Sequence, residues 1–221
     1  GDVAQAVHLG KSASINIPRL NGMKNRKRIQ LQGSYRLPFR VSQAVRGLSE
    51  KINGLMDEES GLLEPYRGAP PGARPIFVYG EDSQQMALKI KQIVDRYKSY
   101  YFSEENEDES RYHLTILEKD LELHGEMNRL SSARIANTDT ILRLKGMEKY
   151  CIIWSTRAVI EDKEDVYHYI FTILTRSSSI LIIALFDDMP EYCQEVFQLF
   201  QQEHIICWDE ETENFMEEQW K

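Results

Sequence analysis

Along the chain, short apolar runs alternate with stretches whose apolar residues recur at helical spacing. From residue 76 the order is regular. Ile76-Phe77-Val78-Tyr79 is a run bounded by Pro75 and Gly80, and Met86, Leu88, Ile90, Ile93, Val94 and Tyr97 follow with a period near 3.6. Residues 112–117 form a second strand candidate. Ile135, Ile141, Leu142 and Leu144 predict a helix ahead of a third strand, Tyr150-Cys151-Ile152-Ile153-Trp154. Residues 166–174 are apolar on almost every side and predict a buried helix. Residues 180–186 predict a fourth strand, Pro190 to Phe200 a helix, and His204 to Trp208 a short fifth strand. Strands that are continuously apolar, each followed by a helix, predict an α/β domain with a five-stranded parallel sheet flanked by helices.

Upstream the pattern is weaker. Ile29, Leu31, Tyr35, Leu37, Phe39 and Val41 alternate around a Gly33-Ser34 turn, which predicts a hairpin with Pro38 confining its second strand to an edge. Val41, Val45, Leu48, Ile52 and Leu55 then recur at helical spacing, interrupted by Gly47 and Gly54. Residues 64–75, EPYRGAPPGARP, prevent a helix and resist a central strand. The expected organisation is a basic N-terminal arm at 1–63 with a hairpin and one helix, a Pro/Gly linker at 64–75, and the α/β domain at 76–221.

Charge sharpens that division. Residues 1–75 hold 12 Lys and Arg against 6 Asp and Glu, a balance of +6 within a chain whose net charge is −8. The rest is therefore at −14. The bland reading is a solvated basic arm on an acidic domain. The sharper one is an arm whose densest stretch, Lys24, Arg26, Lys27 and Arg28, binds an anionic surface, lipid or nucleic acid. Residues 104–109 carry five negative charges and predict a loop. The longest apolar run, 180–186, is far shorter than the ~20 residues that cross a bilayer. Three cysteines, no Asn-x-Ser/Thr sequon and no basic-then-apolar opening lead us to expect a cytoplasmic protein with free thiols, whether alone or as the cytosolic part of a larger one.

Most chemical motifs fall away on inspection. Gly10-Lys11-Ser12 lacks the earlier glycine of a phosphate-binding loop, since Gln5 stands there, and no strand precedes it. His204 and Cys207 are the one close pair with ligand-like spacing, without a second pair, so no metal site is expected. Glu81-Asp82 and Asp187-Asp188, each following an apolar strand, have a local likeness to a receiver domain. Their strands lie more than 100 residues apart, which argues against a phosphorylation switch and for polar turns.

Taken in order, residues 75–221 resemble a Toll/interleukin-1 receptor (TIR) domain. Residues 76–83, IFVYGEDS, are similar to the family's first box, and Leu114 to Gly125, LTILEKDLELHG, to its second strand running into the BB loop. His124 stands where the family has proline, with one extra residue in the loop. Residues 141–155 are similar to the helix, turn and third strand, 180–185 to the fourth strand, and Asn214-Phe215-Met216 stands where the third box often reads Phe-Trp. The resemblance implies a flavodoxin-like fold and one of two functions. NAD-cleaving members carry a glutamate on the buried helix before the fourth strand, and Ile170 occupies that position here. Isoleucine can neither bind a ribose hydroxyl nor stabilise an oxocarbenium-like charge, so catalysis is not expected, and no catalytic residue or cofactor is assigned. NAD cleavage stays as the alternative. The resemblance otherwise implies an intracellular signalling module, receptor or adaptor, that assembles with itself and with other TIR-domain proteins. Its BB-loop-like interface would be Lys119, Asp120, Leu121, Glu122, Leu123, His124 and Gly125, with the two leucines as anchors, or folded back onto their own sheet.

Overall fold

In the computed structural model, the structure describes residues 37–56, 71–101, 114–130, 136–144, 147–157 and 166–208. Strands are β1 (Ile76–Tyr79), β2 (Leu114–Leu117), β3 (Ala136–Asp139), β4 (Lys149–Ser155), β5 (Ser177–Leu185) and β6 (Ile206–Cys207). Helices are α1 (Phe39–Ala44), α2 (Arg46–Met56), α3 (Ser83–Tyr101), α4 (Leu121–Arg129), α5 (Ile141–Leu144), α6 (Val166–Leu174) and α7 (Glu191–Gln198), followed by a 3-10 turn at Gln202–His204.

All five strand pairings are parallel, in the order β3-β2-β4-β5-β1-β6. β5 lies inside the sheet, with Ile182 between Ile76 and Ile153, and Ile183 between Phe77 and Trp154. Because neighbouring side chains on a strand point to opposite faces, a strand covered on both faces must be apolar at every position. Ile180, Ile182 and Ala184 join α3 and α4 in one core, with Met86, Ile90, Leu123 and Met127. Leu181 and Ile183 join α1, α2, α6 and α7 in the other, with Val41, Leu48, Phe171 and Val196. Phe77 packs edge-on against Phe197 and Phe200 at 5.2 Å in that second core.

Three sequence-based expectations change. The sheet has six strands rather than five. The additional one, β3, was expected as helix. It is polar (ANTD) and buries only Ala136, and an edge strand needs no more, since its backbone pairs with β2 from Leu114↔Ala136 to Leu117↔Asp139. The helix expected there is reduced to α5.

The order also departs from the flavodoxin-like 2-1-3-4-5, in which the first strand lies between the second and third. Here β1 is flanked by β5 and β6, and β2 pairs directly with β4. The apolar pattern identifies strands but does not choose their neighbours. Residues 80–113 are long enough to carry the chain past two strands, about 14 Å at the usual strand spacing.

Finally, the strand expected to reach Val41 is helical from Phe39. Pro38 is the N-cap of α1 (φ −56°), and Ser42 N donates to its carbonyl at 3.0 Å. Helical periodicity prevails over alternation, because Val41, Ala44, Val45 and Leu48 all reach one core. The expected single helix is split at Val45 into α1 and α2. The first hairpin strand, residues 104–109, most of the linker and Lys24 to Arg28 lie outside the described residues.

Candidate functional site at the carboxyl ends of the strands

Open parallel sheets place their sites where successive connections leave to opposite faces, outside the carboxyl ends of the strands. In this order one such point is the seam between β5 and β1, and another lies between β2 and β4, whose following helices α4 and α6 also join opposite cores. After β1 the chain runs into α3 in one core, and after β5 into α7 in the other. The loops at this end, 80–82, 118–120, 156–157 and 186–190, bring Glu81, Asp82, Glu118, Lys119, Asp120, Arg157, Asp187 and Asp188 to one edge of the sheet.

Tyr79 bridges the seam. Its hydroxyl donates to both carboxylate oxygens of Asp187 at 3.1 Å, which is the first cause of its raised pKa. Lys89 Nζ donates to the Tyr79 carbonyl at 2.8 Å and sits 5.9 Å from the ring centroid. Asp82 starts α3 by accepting from Gln85 N at 2.7 Å, while Gln85 Oε1 accepts from Glu81 N at 2.9 Å.

Arg157, just beyond β4, gathers three further segments. Its Nε donates to Asp188 at 3.1 Å, and its Nη1 to Ser83 Oγ at 2.9 Å and to Glu122 at 3.2 Å. The guanidinium lies 3.8 Å over the Phe186 ring, a cation–π stack that a lysine would not reproduce. Its side chain is 23% exposed, whereas those of Glu122 and Asp188 are 70% and 67% exposed. The cation is sheltered by the two carboxylates.

The segment expected to be an interface loop is different in form. Glu118 and Lys119 take left-handed φ of 63° and 57°, after which the chain turns directly into α4. Such φ values cost a non-glycine residue roughly 1–2 kcal/mol each. The turn aims Glu118 across the sheet. Its carboxylate accepts from Ile141 N at 2.8 Å and from the Tyr169 hydroxyl, whose pKa is raised, first by burial and then by that carboxylate. Asp120 is the N-cap of α4: Oδ1 accepts from Leu123 N at 3.0 Å, and Oδ2 from Ser155 Oγ at 2.6 Å.

Of the other expected interface residues, Lys119 and Leu121 are exposed and Glu122 pairs with Arg157. Leu123 is buried in the core, so it is no surface anchor. His124 Nε2 contacts the Ala136 carbonyl at 3.0 Å and the Asn128 amide at 2.9 Å. Gly125 was expected to end the loop at positive φ. It lies inside α4 with ordinary φ, and a Cβ there would meet nothing within 4 Å.

The structure thus brings Asp120 and Glu122 together with Ser83, Ser155, Arg157 and Asp188. Sequence reading missed Tyr79, Ser83, Ser155 and Arg157 as partners, and took Asp187 and Asp188 for a simple polar turn. The one signal available was position, since each closes an apolar strand or follows it within a few residues.

Chemically, this arrangement binds its own cation. Ser155 is fully buried against Asp120. Burial pushes the Cys151 and Cys193 thiols up to about 12. Ile170 is buried in α6, within the second core. Among the described residues, no cluster of three or more His, Cys, Asp or Glu is placed to hold a metal ion, and no helix is long and apolar enough to cross a membrane.

This is an α/β fold with a six-stranded parallel sheet flanked by helices. It is similar to the C-terminal domain of a possible DNA helicase from Lactobacillus plantarum WCFS1, at 11% identity and a TM-score of 0.50, covering 79% of this chain and 99% of that one. No family model and no curated protein matches the chain.

Proposed function

We propose that this chain is an α/β module similar to the C-terminal domain of a possible DNA helicase, serving a nucleic-acid-handling assembly by binding and docking. The observation that carries this reading is the similarity over 99% of that domain. It is an argument from fold, and the site narrows it to binding without nucleotide turnover. Loop 80–82 is acidic where a phosphate cradle would need exposed backbone amides, and Arg157 is committed to its own carboxylates. The module would not turn over nucleotide by itself. Contact with nucleic acid would come from the basic arm, Lys24, Arg26, Lys27 and Arg28, because the domain is acidic.

Fluorescence anisotropy with labelled single-stranded and duplex DNA tests this. Binding should weaken linearly in log–log form with salt, with a slope near −0.9 per phosphate neutralised on duplex and about −0.7 on single strands. Replacing the four basic residues with alanine should flatten it. Absence of DNA binding at low salt would remove the reading.

A second reading is homotypic assembly of a TIR-type signalling module. The observation in its favour is Leu121, an apolar side chain 68% exposed within the expected interface. The strand order and the helical form of residues 121–129 weigh against it. Light scattering over a concentration series separates the readings, since assembly requires a mass that rises and a Leu121→Asp variant that stays monomeric. Conversion of NAD to nicotinamide by the purified chain would instead support the enzymatic alternative.

A further inference from the structure

We infer that Arg157 is an electrostatic strap that holds the seam between β5 and β1 closed. The loops after these strands leave for opposite faces of the sheet, so nothing in the connectivity ties their tips together. Arg157 comes from a third strand, lies across Phe186 at the end of β5, and reaches Ser83 at the start of α3. Asp188 anchors it on the β5 side at 3.1 Å and Glu122 on the α4 side at 3.2 Å. Tyr79 and Asp187 add a second tie across the same seam.

The strap is built to be released. Its Ser83 end is buried, while both carboxylates are two-thirds exposed, within reach of solvent ions or of a competing partner. Exposed pairs of this kind contribute little individually and weaken as salt screens them. The fixed geometry comes from Phe186 and Ser83, and the closing force from Asp188 and Glu122. Release would part loop 80–82 from loop 186–190 and leave the central strands paired. The inference does not depend on the helicase-type reading.

Amide hydrogen exchange on the full chain tests it. The reporters are Gly80 N, bonded to Leu185 O at 3.1 Å, Phe186 N, bonded to Thr156 Oγ1 at 3.3 Å, and Met189 N, bonded to Phe186 O at 3.2 Å. Amides of Ile152 and Ile183 in the central strands are the controls. Arg157→Gln should speed exchange at the reporters roughly fivefold to tenfold, the sum of a few exposed charge pairs, with the controls unmoved. Raising salt to about 1 M, where the Debye length falls to about 3 Å, should bring the native protein toward the variant and leave the variant unchanged. If Arg157→Gln does not fold, Asp188→Asn, which keeps the stack on Phe186, carries the same test at a smaller amplitude. Reporters that exchange alike in native and variant proteins would overturn the strap. So would an acceleration shared equally by Ile152 and Ile183, which would make Arg157 a general stabiliser.

Discussion

Leu121 and Leu123 stand two residues apart at the start of α4 and occupy opposite environments: Leu121 is 68% exposed and Leu123 is fully buried. Two residues along a helix turn the chain by about 200°, so the pair cannot share a face. Leu123 joins Ile116, Met127 and Ile90 in the core behind the sheet. Leu123→Asp should therefore cost at least about 3 kcal/mol and abolish cooperative unfolding, because it removes packing and buries a charge. Leu121→Asp should change stability by less than about 0.5 kcal/mol. Urea titrations of both variants check this. Equal tolerance would mean that α4 does not pack as described.

Asp120 holds two elements at once. It caps α4 through Leu123 N and receives the Ser155 hydroxyl at 2.6 Å from β4. Asp120→Ala should cost about 2–3 kcal/mol, combining a lost cap with a buried hydroxyl left without an acceptor. Ser155→Ala should cost only about 1 kcal/mol, since the cap survives. The double variant should be no worse than Asp120→Ala alone. An additive result in denaturant unfolding would show that the pair does not interact.

Gly47 marks a close approach between α2 and the chain after α7. A Cβ at this position would lie 2.3 Å from the Leu199 carbonyl oxygen, a backbone atom that cannot swing aside. Alanine normally favours a helix, yet Gly47→Ala should destabilise by roughly 1–3 kcal/mol as α2 is pushed off its seat. Gly125→Ala, with open space around it, should do the reverse and gain about 0.5–1 kcal/mol. Thermal unfolding of the two variants should move in opposite directions.

The fold was legible where burial dictates residue type. Ile180 to Ala184 and Ile76 to Val78 could be read as strands because both faces are covered, and residues 166–174 as a buried helix for the same reason. β3 was not legible, since an edge strand of Ala-Asn-Thr-Asp owes its conformation to backbone pairing with β2. Strand order was illegible too: Ile76 would look the same beside Ile182 or beside Ile116. At the site, the acidic positions after β1, β2 and β5 could be read, but not the single arginine that joins Glu122 and Asp188 to Ser83. Arg157 has meaning only through Ser83, Glu122 and Asp188, which lie 74, 35 and 31 positions away. The left-handed turn at Glu118-Lys119 carries no residue signature, because glycine, the usual occupant, is absent from it.

Buried thiols make stability depend on pH at the alkaline end. Burial raises the Cys151 and Cys193 thiols from 9.0 to about 12 in the folded protein. Tyr169 is raised as well, first by burial and then by Glu118. For each of these groups the folded state keeps its proton while the unfolded chain loses it. Between the unfolded and folded pKa the unfolded state therefore binds fewer protons, and stability falls as pH rises. The contribution is fully present below about pH 8.5–9, the unfolded thiol value, and declines above it at up to about 1.4 kcal/mol per pH unit for each thiol. The urea midpoint should be level from pH 7 to 8.5 and drop steeply by pH 10.5. Cys151→Ala should start lower, through lost packing, but fall less steeply over the same range. Thiol titration provides the second readout. In the native protein at pH 8, exposed Cys207 should react promptly with a disulfide reagent, while Cys151 and Cys193 wait for unfolding. Prompt reaction of all three would mean that the two sheet faces are open to solvent, and with them the packing that positions Arg157.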